Sequence, residues 1–367
     1  MKVLQIASDF PNTGLYRELF GKLIHKGIEL RAYVFTRSNH KDRKANDNYV
    51  DQRFNHTRFD RMIFHLKHKK VLRDIISIYD FGEYDLLHAH TLFSNGYIAY
   101  KINEQYGIPY VVAIRNTDIN VFFKYMVHLR SLGKRILRNA SKVIFISEAY
   151  RKEALKKYLS KKEFQEVIEK SIAIPNGIND FWIENQYNMN RKINGKNLRV
   201  LCVADINKNK NQIAVAEACS LLKDKGYDVE LTLIGEEQSK KIVKQLRAYP
   251  FVTIKERMPK ERLIEYYRNN DIFVLPSKHE TFGLVYAEAL SQGLPVIYTK
   301  GQGFDGQFPE GKAGFSVDGN DPVDICDKVC AVLNDYDNIF QRTKKVSDKY
   351  HWDIIADAYK EIYYEII

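Results

Sequence analysis

Short apolar runs alternate with helical stretches twice along this chain, and that alternation limits the fold more than any other feature. In the first half the runs lie near residues 3–7, 30–35, 86–90, 110–114, 143–147 and 172–174. In the second they lie near 199–204, 230–234, 252–255, 272–275, 295–298 and 314–317. Strands that alternate with helices in this way imply doubly wound parallel sheets, which bind ligands at the carboxyl ends of their strands. The chain has 367 residues, too many for one compact core, so the fold class is α/β with two Rossmann-like domains. The expected divisions are a first domain over 1–185, a polar linker over 186–197, a second domain over 198–347 and a terminal amphipathic helix over 348–367.

Charge is unevenly placed. Residues 1–185 hold 31 Lys and Arg against 20 Asp and Glu, so the whole net charge of +11 lies there. That asymmetry points to an anionic partner for the first domain. Its focus is 53–73, with seven Lys or Arg against Asp60 alone, and with Phe59, Met62, Ile63, Phe64 and Leu66 interleaved. A second basic and apolar region covers 122–138. Two readings stay open: an amphipathic segment on anionic lipid, or a buried helix with a solvated basic face. No nucleic-acid-binding motif is present. No apolar run approaches the ~20 residues of a membrane span. The first residues read directly as a strand, so no signal peptide is expected. Cys202, Cys219, Cys326 and Cys330 read as reduced packing cysteines of a cytoplasmic protein.

The stretch Pro276-Ser277-Lys278-His279-Glu280-Thr281-Phe282-Gly283-Leu284-Val285-Tyr286-Ala287-Glu288-Ala289-Leu290 carries the chemistry. A buried strand feeds it, and 285–290 reads as helix. Eight residues at ~1.5 Å rise would separate the Glu280 and Glu288 carboxylates by roughly 12 Å. Between them lie the free N–H groups of a first helical turn, a ready anion site. Gly283 lets a ligand approach the backbone. A nucleoside diphosphate sugar has the matching layout, with hydroxyls at both ends and a dianion between. Glu280 would hold the transferred sugar and Glu288 the ribose.

With Gly293-Leu294-Pro295-Val296-Ile297 following, this long ordered match resembles glycosyltransferase family 4, retaining enzymes of the two-domain GT-B architecture. The resemblance covers the whole chain. It implies two domains facing across a cleft and a Trp-containing terminal helix, here around Trp352, that crosses back to the first domain. It implies a retaining hexosyl transfer from a nucleotide sugar, a UDP-sugar favoured over a GDP-sugar; the positive first half favours a glycan or lipid-linked acceptor in envelope polysaccharide biosynthesis. No metal or other cofactor is expected.

Residue by residue, the resemblance makes Glu280, Lys210, Arg115 and Asp118 the catalytic set. Donor contacts are expected from Glu288, the Thr281, Phe282, Gly283 and Leu284 turn, Gly14, Gly235, Lys208 and Met258. Lys210 matches the family lysine that grips the diphosphate. Asp205 stands where the family has an arginine, and Lys208 would supply the missing charge. Arg115-Asn116 stands where many relatives have His-Gly, and Asp118 either contacts substrate or caps the following helix. Gly14 is what remains of a frequent glycine pair. His88 and His90 share one strand face without a third ligand at metal spacing, and Asp335-Tyr336-Asp337 reads as a surface turn. The alternatives are nucleotide-sugar epimerisation, sugar phosphorolysis, a non-catalytic nucleotide- or glycan-binding relative, and nucleic-acid binding.

Overall fold

A computed structural model describes residues 1–37, 45–187, 189, 193 and 195–367. The chain packs as two units. The first comprises Met1–Ile146, Tyr150–Gly177 and Trp352–Ile367, and the second Ser147–Ala149 and Ile178–His351. The packing division thus falls ahead of the polar stretch 186–197, of which residues 188, 190–192 and 194 lie outside the described residues. The short helix Asp180–Glu184 explains the difference. Its Trp182 is buried against the Tyr267 ring, 5.4 Å between centroids, inside the second unit.

In the first unit the strands are β1 (Lys2–Ile6), β2 (Glu29–Arg37), β3 (Val50–His56), β4 (Leu86–Ala89), β5 (Tyr110–Ala113), β6 (Lys142–Phe145) and β7 (Ser171–Ala173). They lie in the order β3-β2-β1-β4-β5-β6-β7, with each described pairing parallel. The strand β3 has no apolar run in sequence. It is an edge strand, Val-Asp-Gln-Arg-Phe-Asn-His, with much of its length exposed, so burial imposes no hydrophobic signature on it. The segment 53–73 is therefore not one amphipathic element. It ends β3, turns through Asp60–Met62 and enters the helix Phe64–Ile78, which buries His68, Val71 and Ile75.

The second unit contains β8 (Asn197–Val203), β9 (Asp228–Ile234), β10 (Val252–Lys255), β11 (Ile272–Leu275), β12 (Val296–Thr299) and β13 (Gly314–Val317), in the order β10-β9-β8-β11-β12-β13. Every apolar run read in this half is a strand. The β11 strand, Ile-Phe-Val-Leu, is buried throughout because parallel sheets are covered on both faces. Buried Asp271 ties β11 to β8 at their start. It accepts from Arg199 N at 2.8 Å and from the guanidinium at 2.8 and 3.1 Å. The strand order reverses between β8 and β11, so the loops leaving these two strands are neighbours at the switch point, where ligands bind in this architecture.

The terminal helix Trp352–Ile366 belongs to the first unit, where Trp352, Ile355, Tyr359 and Tyr363 join the core beside β1 and the helix Leu15–His25. The Trp352 ring lies on Gly177, where a Cβ would overlap it. Tyr363 Oη sits 2.6 Å from His88 Nδ1 and accepts from Gln5 Nε2 at 3.2 Å, and Gln5 Oε1 lies 2.8 Å from His90 Nε2. The two imidazole rings lie 4.0 Å apart, tilted by 32°. Burial holds His88 at about 3 and His90 well below its usual range, so both imidazoles are neutral. The histidine pair is a buried polar network joining β1, β4 and the terminal helix. We expect Tyr363→Phe to orphan His88 Nδ1 and destabilise the protein by about 1–3 kcal/mol, read as a lower denaturation midpoint. An unchanged midpoint would remove the network from the account of the fold.

Candidate functional site

The site of the second unit is built from the two switch-point loops. The loop after β8 runs Asp205-Ile206-Asn207-Lys208-Asn209-Lys210-Asn211. Asn207 Oδ1 accepts from the N–H groups of Asn209 and Lys210 at 3.0 and 3.1 Å and closes the turn. Asn209 reaches the neighbouring loop. Its Nδ2 donates to His279 O at 2.9 Å, its Oδ1 accepts from His279 N at 3.0 Å, and its carbonyl accepts from Lys278 N at 2.8 Å. Asn211 adopts a left-handed φ of 59° and donates to the Pro276 and Gly319 carbonyls. Asn209 and Asn211 therefore clamp the β8 loop to the β11 loop, and Asn207 shapes the turn that carries them.

The clamp brings two charges together. Lys210 Nζ lies 2.6 Å from Glu280 Oε2, with the side chains 24% and 13% exposed. Ser277 Oγ donates to the same oxygen at 3.4 Å. The loop after β12 supports Glu280 from behind. Gln302 Oε1 accepts from Glu280 N at 3.0 Å, and Gly303 N donates to Glu280 O at 2.9 Å. A Cβ on Gly303 would overlap the Thr281 carbonyl, so only glycine permits this approach.

Beyond Glu280 the chain turns at Gly283, φ +76°, into the helix Leu284–Ser291. A Cβ at Gly283 would also strike the Tyr286 ring, so both backbone and packing demand glycine. Among the described residues, the N–H groups of Phe282, Gly283 and Leu284 have no acceptor. Unpaired N–H groups at a helix start are suited to receive an anion. The Phe282 ring is buried against Phe304 and Tyr350, so this residue offers only its backbone. One turn on, Glu288 Oε2 accepts from Tyr267 Oη at 3.2 Å, and the Trp182 side chain also favours the charged carboxylate. Burial pushes the Glu288 carboxyl up to about 7, against these donors and Lys260.

Residues 16–180 match the family described as Glycosyltransferase Family 4, and residues 185–349 match Glycosyl transferases group 1. The chain belongs to glycosyltransferase family 4. The glycosyltransferase MJ1178 of Methanocaldococcus jannaschii is 22% identical over 317 residues, which is 82% of this chain and 83% of that one. Among solved structures, the lipopolysaccharide outer core galactosyltransferase WaaB superposes with a TM-score of 0.78 at 14% identity, covering 100% of both chains. HepE of Anabaena, solved in complex with UDP-glucose, superposes with a TM-score of 0.62 at 16% identity over 99% of both chains. These likenesses establish the GT-B fold of this glycosyltransferase.

Several expected roles change with the structure. The ~12 Å estimate assumed helical rise from Glu280, but the helix begins at Leu284, and Glu280 lies in a loop folded against Gln302 and Gly303. Lys210 faces Glu280 rather than standing as an isolated cation, while Lys208 is exposed. Asp205 is not a failed phosphate clamp. Its carboxylate accepts from Glu236 N at 3.3 Å and Gln238 Nε2 at 3.0 Å, latching the loops after β8 and β9. Gly235 permits that latch, since a Cβ there would overlap the Ala204 carbonyl. Met258 is half-buried beyond β10.

In the first unit, Asp118 is buried and fully occupied. It accepts from Leu92 N at 3.0 Å, Phe93 N at 3.1 Å and Arg115 N at 2.9 Å. It thus fixes the turn after β5 to the start of the helix Ser94–Tyr106, not the helix that follows it. Burial raises its carboxyl to about 6. Arg115 Nε donates to His90 O at 3.2 Å and Nη1 to Asn176 Oδ1 at 3.4 Å, with Tyr359 a further partner. Gly14 precedes the helix Leu15–His25 at φ −70°, with open space where a Cβ would stand, so its backbone does not require glycine. Among the described residues, no group of three or more His, Cys, Asp or Glu is arranged to hold a metal ion, and the four cysteines are free thiols. Asp335 is engaged by Arg342 and Asn338 at the start of a helix.

The asparagine clamp, Gln302, Tyr267 and Trp182 were not singled out in sequence. The alternation Asn207, Asn209, Asn211 was the available signal for the first; the others are brought in by tertiary packing alone. The Glu288 carboxyl gives a pH test. Its folded value of about 7 lies above the ordinary carboxylate range, so its contribution to stability is full below about 4.5 and is lost as pH rises through 7. Glu288→Gln is therefore expected to raise the ligand-free melting temperature most at pH 8, with the gain shrinking towards pH 5. A pH-independent difference would contradict the burial of this carboxylate.

Proposed function

We propose that this glycosyltransferase moves a hexosyl residue, with retention and without a metal, from a UDP-sugar to a glycan or lipid-linked acceptor of the cell envelope. The observation that carries the reading is the row formed by the Lys210–Glu280 pair, the free N–H groups of Phe282, Gly283 and Leu284, and the Glu288 carboxylate. A sugar, a diphosphate and a ribose match that row in order. HepE, in complex with UDP-glucose, supports the donor class, and the lipopolysaccharide galactosyltransferase WaaB supports the hexosyl and envelope assignments.

As the glycosidic bond breaks, negative charge grows on the departing diphosphate. The three N–H groups are already oriented and need no reorganisation to receive it, which is the economical way to stabilise such charge. Lys210 is close enough to Glu280 to exchange one anionic partner for another. In this reading a bound diphosphate draws Lys210, and Glu280 then accepts from a hydroxyl of the transferred sugar. Glu288 accepts from the ribose hydroxyls, which requires its ionised form. Asp205 and Asp118 take no chemical step, because each carboxylate already serves backbone or side-chain donors.

A thermal-shift panel of nucleotide sugars tests the reading, since the correct donor stabilises the fold by mass action. We expect a UDP-hexose to raise the melting temperature and UDP alone to do so less. We expect Lys210→Ala to weaken donor binding by about 1.5–3 kcal/mol, the range for a charge-assisted hydrogen bond. Donor affinity should also fall as pH drops from 8 to 6, as Glu288 gains its proton, and Glu288→Gln should bind weakly with a flat profile. No shift with any nucleotide sugar would end the proposal. Conversion of the donor without acceptor would mark an epimerase instead.

A further inference from the structure

The basic surplus of the first unit has a structural focus that donor chemistry does not use. Between β3 and the helix Phe64–Ile78 lies a turn organised by Asp60. This carboxylate is 4% exposed and accepts from Thr57 N at 2.7 Å, Thr57 Oγ1 at 2.9 Å and Lys70 Nζ at 2.8 Å. Lys70 and the Thr57 N–H hold it at about 2, so the turn is fixed at any physiological pH. Yet this fixed turn points its apolar side chains outward. Phe59 is 79% exposed, Met62 82% and Ile63 57%, with Leu66 exposed on the next helical turn. Single exposed apolar residues are ordinary, but a cluster on a rigid turn marks an interaction site.

A second loop stands beside it. The π-helix Asp118–Phe123 and the residues after it expose Val121, Tyr125 and Val127. The two loops share an aromatic base: Phe64 meets Phe122 edge-on at 6.2 Å, and Phe122 stacks on Phe93 at 4.6 Å. Exposed cations accompany the two loops. Arg58, Lys69 and Arg73 are exposed, and Lys124 Nζ lies 5.1 Å from the Tyr125 ring centre. The inner face of the helix Phe64–Ile78 is committed to the core through His68, Val71 and Ile75, so the helix does not lie on a surface by itself. The loops are the contact element.

We propose that these two loops form a wedge that docks the protein on a bilayer containing anionic lipid. Phe59, Met62, Ile63 and Tyr125 would enter the acyl boundary, and Arg58, Lys69 and Lys124 would meet lipid phosphates. Apolar tips interspersed with basic residues match a membrane interface, which supplies both an apolar layer and a plane of negative charge. The surplus of cations disfavours a second copy of this chain, because its equally basic first unit would be repelled. This inference goes beyond the transfer reaction and stands or falls separately from the donor assignment.

The test is sedimentation of the full chain with phosphatidylcholine vesicles, with and without phosphatidylglycerol. Binding is expected only with the anionic lipid, and weakening with salt. The triple variant Phe59→Ser/Met62→Ser/Ile63→Ser, and separately Arg58→Gln/Lys69→Gln, should each lower binding at least ~fivefold. Both should keep the wild-type melting temperature and the donor-induced thermal shift. The two native tryptophans are buried, so Phe59→Trp supplies a selective probe whose emission should shift blue on anionic vesicles. Wild-type protein that stays in the supernatant, or a triple variant that binds normally, overturns the proposal. A concentration-dependent dimer abolished by the triple variant, with vesicle binding intact, would assign the surface to a second copy instead.

Discussion

The Lys210–Glu280 ion pair is the contact around which the second unit is arranged. Its two ends come from different strands, and only the reversal of strand order between β8 and β11 makes their loops neighbours. A partly buried ion pair gains little unless its geometry is held. Here Asn207, Asn209 and Asn211 hold one side, and Gln302 with Gly303 holds the other. With no ligand bound each charge compensates the other.

Elsewhere the protein places ionisable groups where their charge is either suppressed or fully compensated. His88 and His90 are kept neutral by burial and tied to Tyr363 and Gln5. Asp118 serves three backbone N–H groups, and Asp60 serves Thr57 and Lys70. Glu288 is the exception within the candidate site. Burial lifts its carboxyl to about 7 although Tyr267 and Trp182 favour the charged form. Carboxyls displaced in this way by burial cluster at functional sites.

Much of the fold was legible along the chain, and the reason is physical. A parallel strand covered on both faces must be apolar through its length, as β11 is, and such runs stand out. The edge strand β3 escaped because its exposure leaves no such constraint. In the candidate site, Glu280, Gly283 and Glu288 were legible because they lie in one continuous stretch. The partners of Asp205 and Asp118 were not legible because their acceptor oxygens are used by groups distant in sequence. Gln238 lies 33 positions from the first, and Leu92 lies 26 from the second.

The chain by itself determined the two α/β units, the row of carboxylates with glycine at its turn, and the concentration of positive charge in the first half. Each of these is a local pattern imposed by strand and helix periodicity or by composition. Tertiary structure alone decided that Lys210 meets Glu280, that three asparagines make the meeting rigid, and that Glu288 is buried beside Tyr267 and Trp182. It also decided that the exposed apolar residues of 59–66 and 121–127 share one aromatic base. These depend on segments far apart in sequence being brought within a few ångströms, which spacing along a chain does not encode.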